Sequence, residues 1–224
     1  MNTFNKTLSR VTLVLGVTFM SAFQLYADDW KEIMYADPTI FVENGKYYLT
    51  GTRNQEPQGF AILESTDLEH WTVPDGTSLQ LILRKGDQTY GEKGFWAPQY
   101  FKDKRTYYFT YTANEQTVIA SSKSVFGPFR QKEVKPIDAS AKNIDSFLFK
   151  DDDGKYYLYH VRFNKGNYLW VAEFDIKKGS IKPETLKQCM DCTEPWEKTP
   201  NYKSAPVMDC LLYTSPSPRD RSLS

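Results

Sequence analysis

Ala36-Asp37-Pro38-Thr39-Ile40-Phe41-Val42-Glu43-Asn44-Gly45-Lys46-Tyr47-Tyr48-Leu49 reads as a short strand, a tight turn and a second strand opened by paired tyrosines. Asn-Gly between two apolar runs is a strong hairpin signal, because both residues tolerate the left-handed backbone that a two-residue turn requires. The pattern recurs. Trp96-Ala97-Pro98-Gln99-Tyr100 leads to Arg105-Thr106-Tyr107-Tyr108-Phe109, and Ile144-Asp145-Ser146-Phe147-Leu148 leads to Gly154-Lys155-Tyr156-Tyr157-Leu158. The tyrosine pairs begin at 47, 107 and 156, so the steps are 60 and 49 residues. A repeat near this length, with several short strands in each unit, predicts β-propeller blades, whose innermost strands gather residues from every blade around one axis.

Outward from the hairpins the strands continue. Phe60–Ser65 is expected as the next strand of the first unit, followed by Thr66-Asp67-Leu68-Glu69-His70-Trp71. The second unit offers Gln99–Lys102, Thr106–Thr112 and Thr117–Ser121, then Ser124-Val125-Phe126-Gly127-Pro128-Phe129. The third offers Ser146–Lys150, Lys155–Arg162 and Tyr168–Asp175. No amphipathic helix is expected beyond the N-terminal segment. Asp151-Asp152-Asp153-Gly154 lacks the spaced ligands and closing glutamate of a calcium loop, so it is read as a solvated hairpin turn.

The 224 residues carry 28 basic and 28 acidic side chains, a net charge of +0, and 15% aromatic residues. This balance offers no electrostatic footprint for nucleic acid or an anionic membrane, and favours a polar or neutral partner. Lys6 and Arg10 precede an apolar run from Val11 to Phe23, and Ala27 stands before Asp28-Asp29-Trp30. Residues 1–27 are therefore expected to be a secretory signal peptide. The alternative is a membrane anchor, for which the run is short. Export to the periplasm or the extracellular space follows, with no membrane span after cleavage. Cys189-Met190-Asp191-Cys192 has redox or metal spacing, yet zinc needs two further ligands and the only other cysteine is Cys210. A local disulfide or two ordinary thiols is the expectation.

Residues 28–208 are expected to hold three blades and the start of a fourth, which begins at Ala205-Pro206-Val207-Met208. From Asp209-Cys210 the text changes: Cys210-Leu211-Leu212-Tyr213-Thr214-Ser215-Pro216-Ser217-Pro218 resembles translated read-through of a transposon-based sequencing adapter. Residues 209–224 are thus expected to be a non-native tail, the alternative being a Ser/Pro-rich disordered one.

Nucleophile elbows, zincin motifs and phosphate loops are absent, and no cofactor is implied. The two histidines, His70 and His160, are read as structural or surface residues. The repeats single out Asp37 and Asp145, which open their units' first strands, with Ala97 in the matching place of the second unit beside Trp96. Two carboxylates brought to one cavity beside an aromatic platform suit glycoside hydrolysis, in which one activates water and others tune an acid–base pair. Singly, an Asp before Pro also starts turns, and Trp96 also serves as core packing. The matching places within the repeats argue for function.

Tyr35-Ala36-Asp37-Pro38, Phe95-Trp96-Ala97-Pro98, Ser65-Thr66-Asp67-Leu68-Glu69-His70-Trp71, Phe126-Gly127-Pro128-Phe129 and Ile144-Asp145-Ser146 together resemble glycoside hydrolase family 43. The resemblance implies an all-β, five-bladed propeller, of which about three blades are present, and an inverting enzyme acting on arabinofuranosyl or xylosyl linkages of plant-type polysaccharides. It assigns Asp37 as general base, Asp145 as the carboxylate that orients and tunes the acid, and Trp96 to the border of the sugar cavity. The family's general acid is a Glu followed by Gly-Pro at the head of the fourth blade; here Met208 is followed by Asp209-Cys210-Leu211. The chain as written is therefore expected to be inactive. A non-catalytic carbohydrate-binding propeller, and a related five-bladed furanosidase or phosphorylase, stay open as alternatives.

Overall fold

The computed structural model describes residues 33–190 and 194–195. The readings on the leader 1–27, on Cys192, on Asp209 and on the tail 209–224 lie outside the described residues. Within them the chain is all-β, with three propeller blades and one 3₁₀ turn at Pro183–Thr185.

The first blade comprises β1 (Ala36–Glu43), β2 (Lys46–Thr52), β3 (Gly59–Ala61), β4 (Leu63–Ser65) and β5 (Leu81–Arg84). β1, β2 and β4 form one antiparallel sheet, while β3 pairs with β5. The segment 60–65 expected as one strand is thus two, because it changes partner at Ile62, whose N–H donates to Gln80 O at 3.0 Å. The second blade is β6 (Trp96–Asp103), β7 (Thr106–Ala113) and β8 (Gln116–Ser122). The third is β9 (Asn143–Lys150), β10 (Tyr156–Phe163) and β11 (Asn167–Asp175), extended by β12 (Ser180–Ile181) and β13 (Lys187–Met190), both paired to β11.

The tyrosine pairs set equivalent registers. Val42 faces Tyr47, Lys102 faces Tyr107 and Lys150 faces Tyr156 across the first hairpin of each blade. Asn44 and Gly45 both take positive φ, as the hairpin requires. Asp151–Gly154 is also a turn: Asp151 N–H donates to Lys155 O at 2.9 Å, and Asp153 Oδ1 accepts from Lys155 N–H at 2.8 Å.

The cores lie between blades. Phe60 from the first blade meets Phe109 and Tyr111 from the second, at 5.1 and 5.5 Å between ring centroids, and Phe129 completes a fully buried aromatic cluster. Complete burial of each such side chain contributes about 1.5–3 kcal/mol. Leu148, Leu158, Ala172 and Phe174 of the third blade form a second cluster against Phe101 and Ile119 of the second. Ion pairs join neighbouring innermost strands: Glu43 to Lys102, and Asp103 to Lys150 at 2.7 Å.

Two sequence motifs prove to be architectural. In Ser65–Trp71, Asp67 Oδ1 accepts the N–H groups of Glu69 and His70, each at 2.8 Å, while Oδ2 contacts His70 Nδ1. The His70 backbone N–H, with the other donors, holds the Asp67 carboxyl well below the usual range. In Phe126–Phe129, Phe129 N–H donates to Ile82 O at 2.8 Å, which ties the outer edge of the second blade to β5. Gly127 has φ +73°, and a Cβ there would stand 2.2 Å from Ile82 O, so only glycine fits.

Candidate active site

Asp37, Ala97 and Asp145 take the same backbone conformation, with φ of +47°, +44° and +52°. Each sits at an irregularity at the head of its innermost strand: the register shifts between Ala36 and Thr39, between Trp96 and Gln99, and where Ile144 and Phe147 pair with Val161 and Tyr159. Positive φ is uncommon outside glycine and costs ~1–3 kcal/mol per residue. A β-bulge also re-aims a side chain out of the strand's alternation. Three strained bulges at equivalent places of three blades mark this end of the strands as one shaped feature.

Threonines connect the heads. Thr52, at the end of β2, donates its hydroxyl to Asp37 Oδ2 at 2.7 Å and accepts the N–H of Ala97 in the next blade at 2.9 Å. Thr112, at the matching register of β7, accepts the N–H of Asp145 at 3.0 Å. Thr52 and Thr112 are buried, Asp145 is half-buried and Asp37 is exposed. Asp37, Ala97 and Asp145 are thereby fixed in series across three blades.

The flanking residues explain how the first head is held. Gly51 is packed so closely by Tyr35 and Ala36 that an added Cβ would lie 2.6 Å from Tyr35 Cβ and 2.8 Å from Ala36 O. Burial raises the Tyr35 phenol above its ordinary value, opposed by the nearby Arg53 cation. Arg53 is itself buried and donates to Pro57 O at 2.8 Å. Trp96 is 39% exposed. The Gly94 backbone lies against its indole, since a Cβ there would fall 3.1 Å from Cζ2. The ring is thus backed by the chain and keeps exposed surface beside Ala97.

The histidines are elsewhere. His70 belongs to the Asp67 turn, and His160 is fully buried, with Nε2 3.8 Å from Asp138 Oδ2. Asp138, which sequence reasoning did not single out, also contacts Arg162 and accepts from Ser140 Oγ at 2.6 Å. The thiol of Cys189 donates to Leu169 O at 3.3 Å. Among the described residues no three His, Cys, Asp or Glu side chains cluster as a metal site. A cleft of about 640 Å³ between Ser121, Arg130–Glu133, Lys135 and Ile176–Ser180 lies toward the opposite strand ends, lined by five Lys and Arg side chains and a single carboxylate, Glu133. Its chemistry does not suit acid–base hydrolysis.

Thr52 and Thr112 are the site residues that sequence reasoning missed. Their signal is legible in retrospect: each stands five positions after the first tyrosine of its pair, in Tyr47-Tyr48-Leu49-Thr50-Gly51-Thr52 and Tyr107-Tyr108-Phe109-Thr110-Tyr111-Thr112. The third unit has Val161 there.

Comparison with known proteins agrees with the fold. Residues 31–208 match the profile of Glycosyl hydrolases family 43. An extracellular endo-alpha-(1->5)-L-arabinanase 1 of Bacillus subtilis is 28% identical over 190 residues, covering 78% of this chain and 57% of the relative. A xylosidase/arabinosidase of Butyrivibrio fibrisolvens is 29% identical over 157 residues, covering 64% of this chain and 29% of the relative. The crystal structure of an endo-1,4-beta-xylanase from Bacteroides thetaiotaomicron superposes with a TM-score of 0.66 at 41% identity, covering 73% of this chain and 55% of that one. The chain therefore spans at most a little over half the length of these proteins. With the matched region extending across all three blades and their heads, the chain belongs to glycosyl hydrolases family 43.

Proposed function

We propose that the full-length protein carrying this chain hydrolyses arabinosyl or xylosyl O-glycosidic linkages of oligo- or polysaccharides, with inversion at the anomeric carbon. Asp37 is the general base that activates water, Asp145 the carboxylate that orients and tunes the acid, and Trp96 the platform for a sugar ring. The observation that carries this reading is the equivalence of positions 37, 97 and 145. Two of the three strained heads hold carboxylates, and the third stands beside an exposed indole. The named arabinanase and xylosidase/arabinosidase relatives support the sugar class. The general acid, expected beyond Met208, belongs to the continuation of the fourth blade. Export is part of the proposal, supported by the extracellular relative. Among the described residues no helix is long and apolar enough to cross a membrane.

The test is Asp37→Asn in the full-length protein. It keeps the shape of the side chain and its contact with Thr52 but removes the proton acceptor. Hydrolysis is expected to fall by ~10²–10⁴-fold, the usual contribution of general-base catalysis, while oligosaccharide binding by calorimetry persists. Proton NMR of the first product is expected to show inverted configuration, as when water sits between well-separated carboxyl groups. Full turnover by a folded Asp37→Asn protein would remove Asp37 from the role. A wild-type protein that binds these sugars without hydrolysing any would leave a binding propeller instead.

A further inference from the structure

We propose that Thr52 is a positioning residue for the reaction: it orients the Asp37 carboxylate and couples that orientation to the second blade. The proposal rests on Asp37 being the base. A threonine hydroxyl has one proton to donate and lone pairs to accept. Ala97 N–H occupies an acceptor site of Thr52 Oγ1 at 2.9 Å, which leaves the single proton for Asp37 Oδ2 at 2.7 Å. The direction of both bonds is therefore set. Oδ2 is held by the hydroxyl; in the proposed role Oδ1 is the oxygen that takes the proton of the attacking water. Asp37 is an exposed side chain on a strained backbone, so without this bond its carboxylate would rotate among several positions. Thr52 itself is buried and cannot follow it.

The comparison among blades separates this role from a purely architectural one. Thr112 joins the second blade to the third in the same manner, through Asp145 N–H, but the head of its own blade is Ala97 and offers no carboxylate. The third blade has Val161 at that register, fully buried, so the strand accepts a branched apolar side chain there. The hydroxyl at this position therefore serves as a blade-to-blade link, and only in the first blade does it also hold a carboxylate. Water activation by a general base depends on the base's orientation as well as its basicity.

The experiment compares wild type, Thr52→Val, Thr52→Ser and Asp37→Asn in the full-length protein. It reads kcat and KM on an arabino- or xylo-oligosaccharide, with melting temperature measured beside them. Thr52→Val is expected to lower kcat about 10- to 100-fold, the equivalent of one lost hydrogen bond to a charged group, with KM unchanged. Thr52→Ser is expected to restore most of the rate. If Thr52→Val melts below the assay temperature, Thr52→Cys replaces it, with the same loss expected from its weak thiol donor. Wild-type kcat in the folded Val or Cys variant overturns the proposal. So does a Ser variant as slow as Val, since the hydroxyl is then present without effect. Turnover by Asp37→Asn would show instead that the base is misassigned, and the role of Thr52 would fall with it.

Discussion

At the scale of single residues, the candidate site depends on close backbone approach as much as on the carboxylates proposed to act there. Gly51 does not take positive φ; it is glycine because Tyr35 and Ala36 fold back over it. In the second blade the matching residue is Tyr111, fully buried in the aromatic core. Gly51→Ala is expected to push Tyr35-Ala36 outward and to destabilise the protein by ~1–3 kcal/mol, the usual cost of overpacking. Because Ala36 precedes Asp37, the same substitution is expected to reduce hydrolysis by the full-length protein. Denaturant unfolding and steady-state rates check the two halves; a variant of wild-type stability would show that Tyr35 yields without strain. The equivalent placement of Asp37 and Asp145 was legible in the sequence because repetition sets them alike. Thr52 was not, since its role exists only once the next blade brings Ala97 N–H to its oxygen. The repeat marks a threonine five positions after Tyr47 and Tyr107, but not which group it will hold.

At the scale of elements, hairpins were legible and the segments between them less so. Paired tyrosines and turn residues identify β1–β2, β6–β7 and β9–β10, whose observed bounds lie within three residues of the expected ones. β5 was not read, because Leu81–Arg84 is a short, largely apolar run without period-2 alternation and is a strand only by pairing with β3. The loop joining β8 to β9 likewise hides its order. Asp138 there is buried and faces His160, Arg162 and Ser140, while Asn143 Nδ2 donates to Asp138 O at 2.8 Å. Burial alone would raise the Asp138 carboxyl, but the nearby His160 imidazole, hydrogen bonds from Ser140 and the Arg162 charge outweigh it and hold it well below its ordinary value. A carboxyl depressed in the folded state contributes stability above its ordinary value, and loses that contribution as pH falls through and below it. The melting temperature of Asp138→Asn is therefore expected to lie below wild type at neutral pH. The gap should narrow on acidification below the ordinary carboxylate range. A gap constant with pH would show that Asp138 acts through packing and neutral hydrogen bonds alone.

At the scale of the molecule, the three blades are not equally enclosed. β6, in the middle blade, is buried or half-buried at every position after Trp96. β1 packs one face on the second blade through Phe41, 5.3 Å from Tyr100, but Ile40 and Val42 on its other face are 50% and 56% exposed. On the third blade Phe149, Phe163 and Met190 are exposed as well. A propeller ring covers both faces of each blade with its neighbours, so these two flanks have the composition of buried surfaces left open. Exposed apolar patches with accessible sheet edges drive association. The 224-residue protein is therefore expected to self-associate and to lack glycosidase activity, whereas a protein extended to the full length of its relatives is expected to be monomeric and active. Light scattering after size-exclusion chromatography, with an oligosaccharide hydrolysis assay on the same fractions, distinguishes the cases. A monodisperse, hydrolytically active 224-residue monomer would show that three blades suffice and that the exposed flanks need no partner.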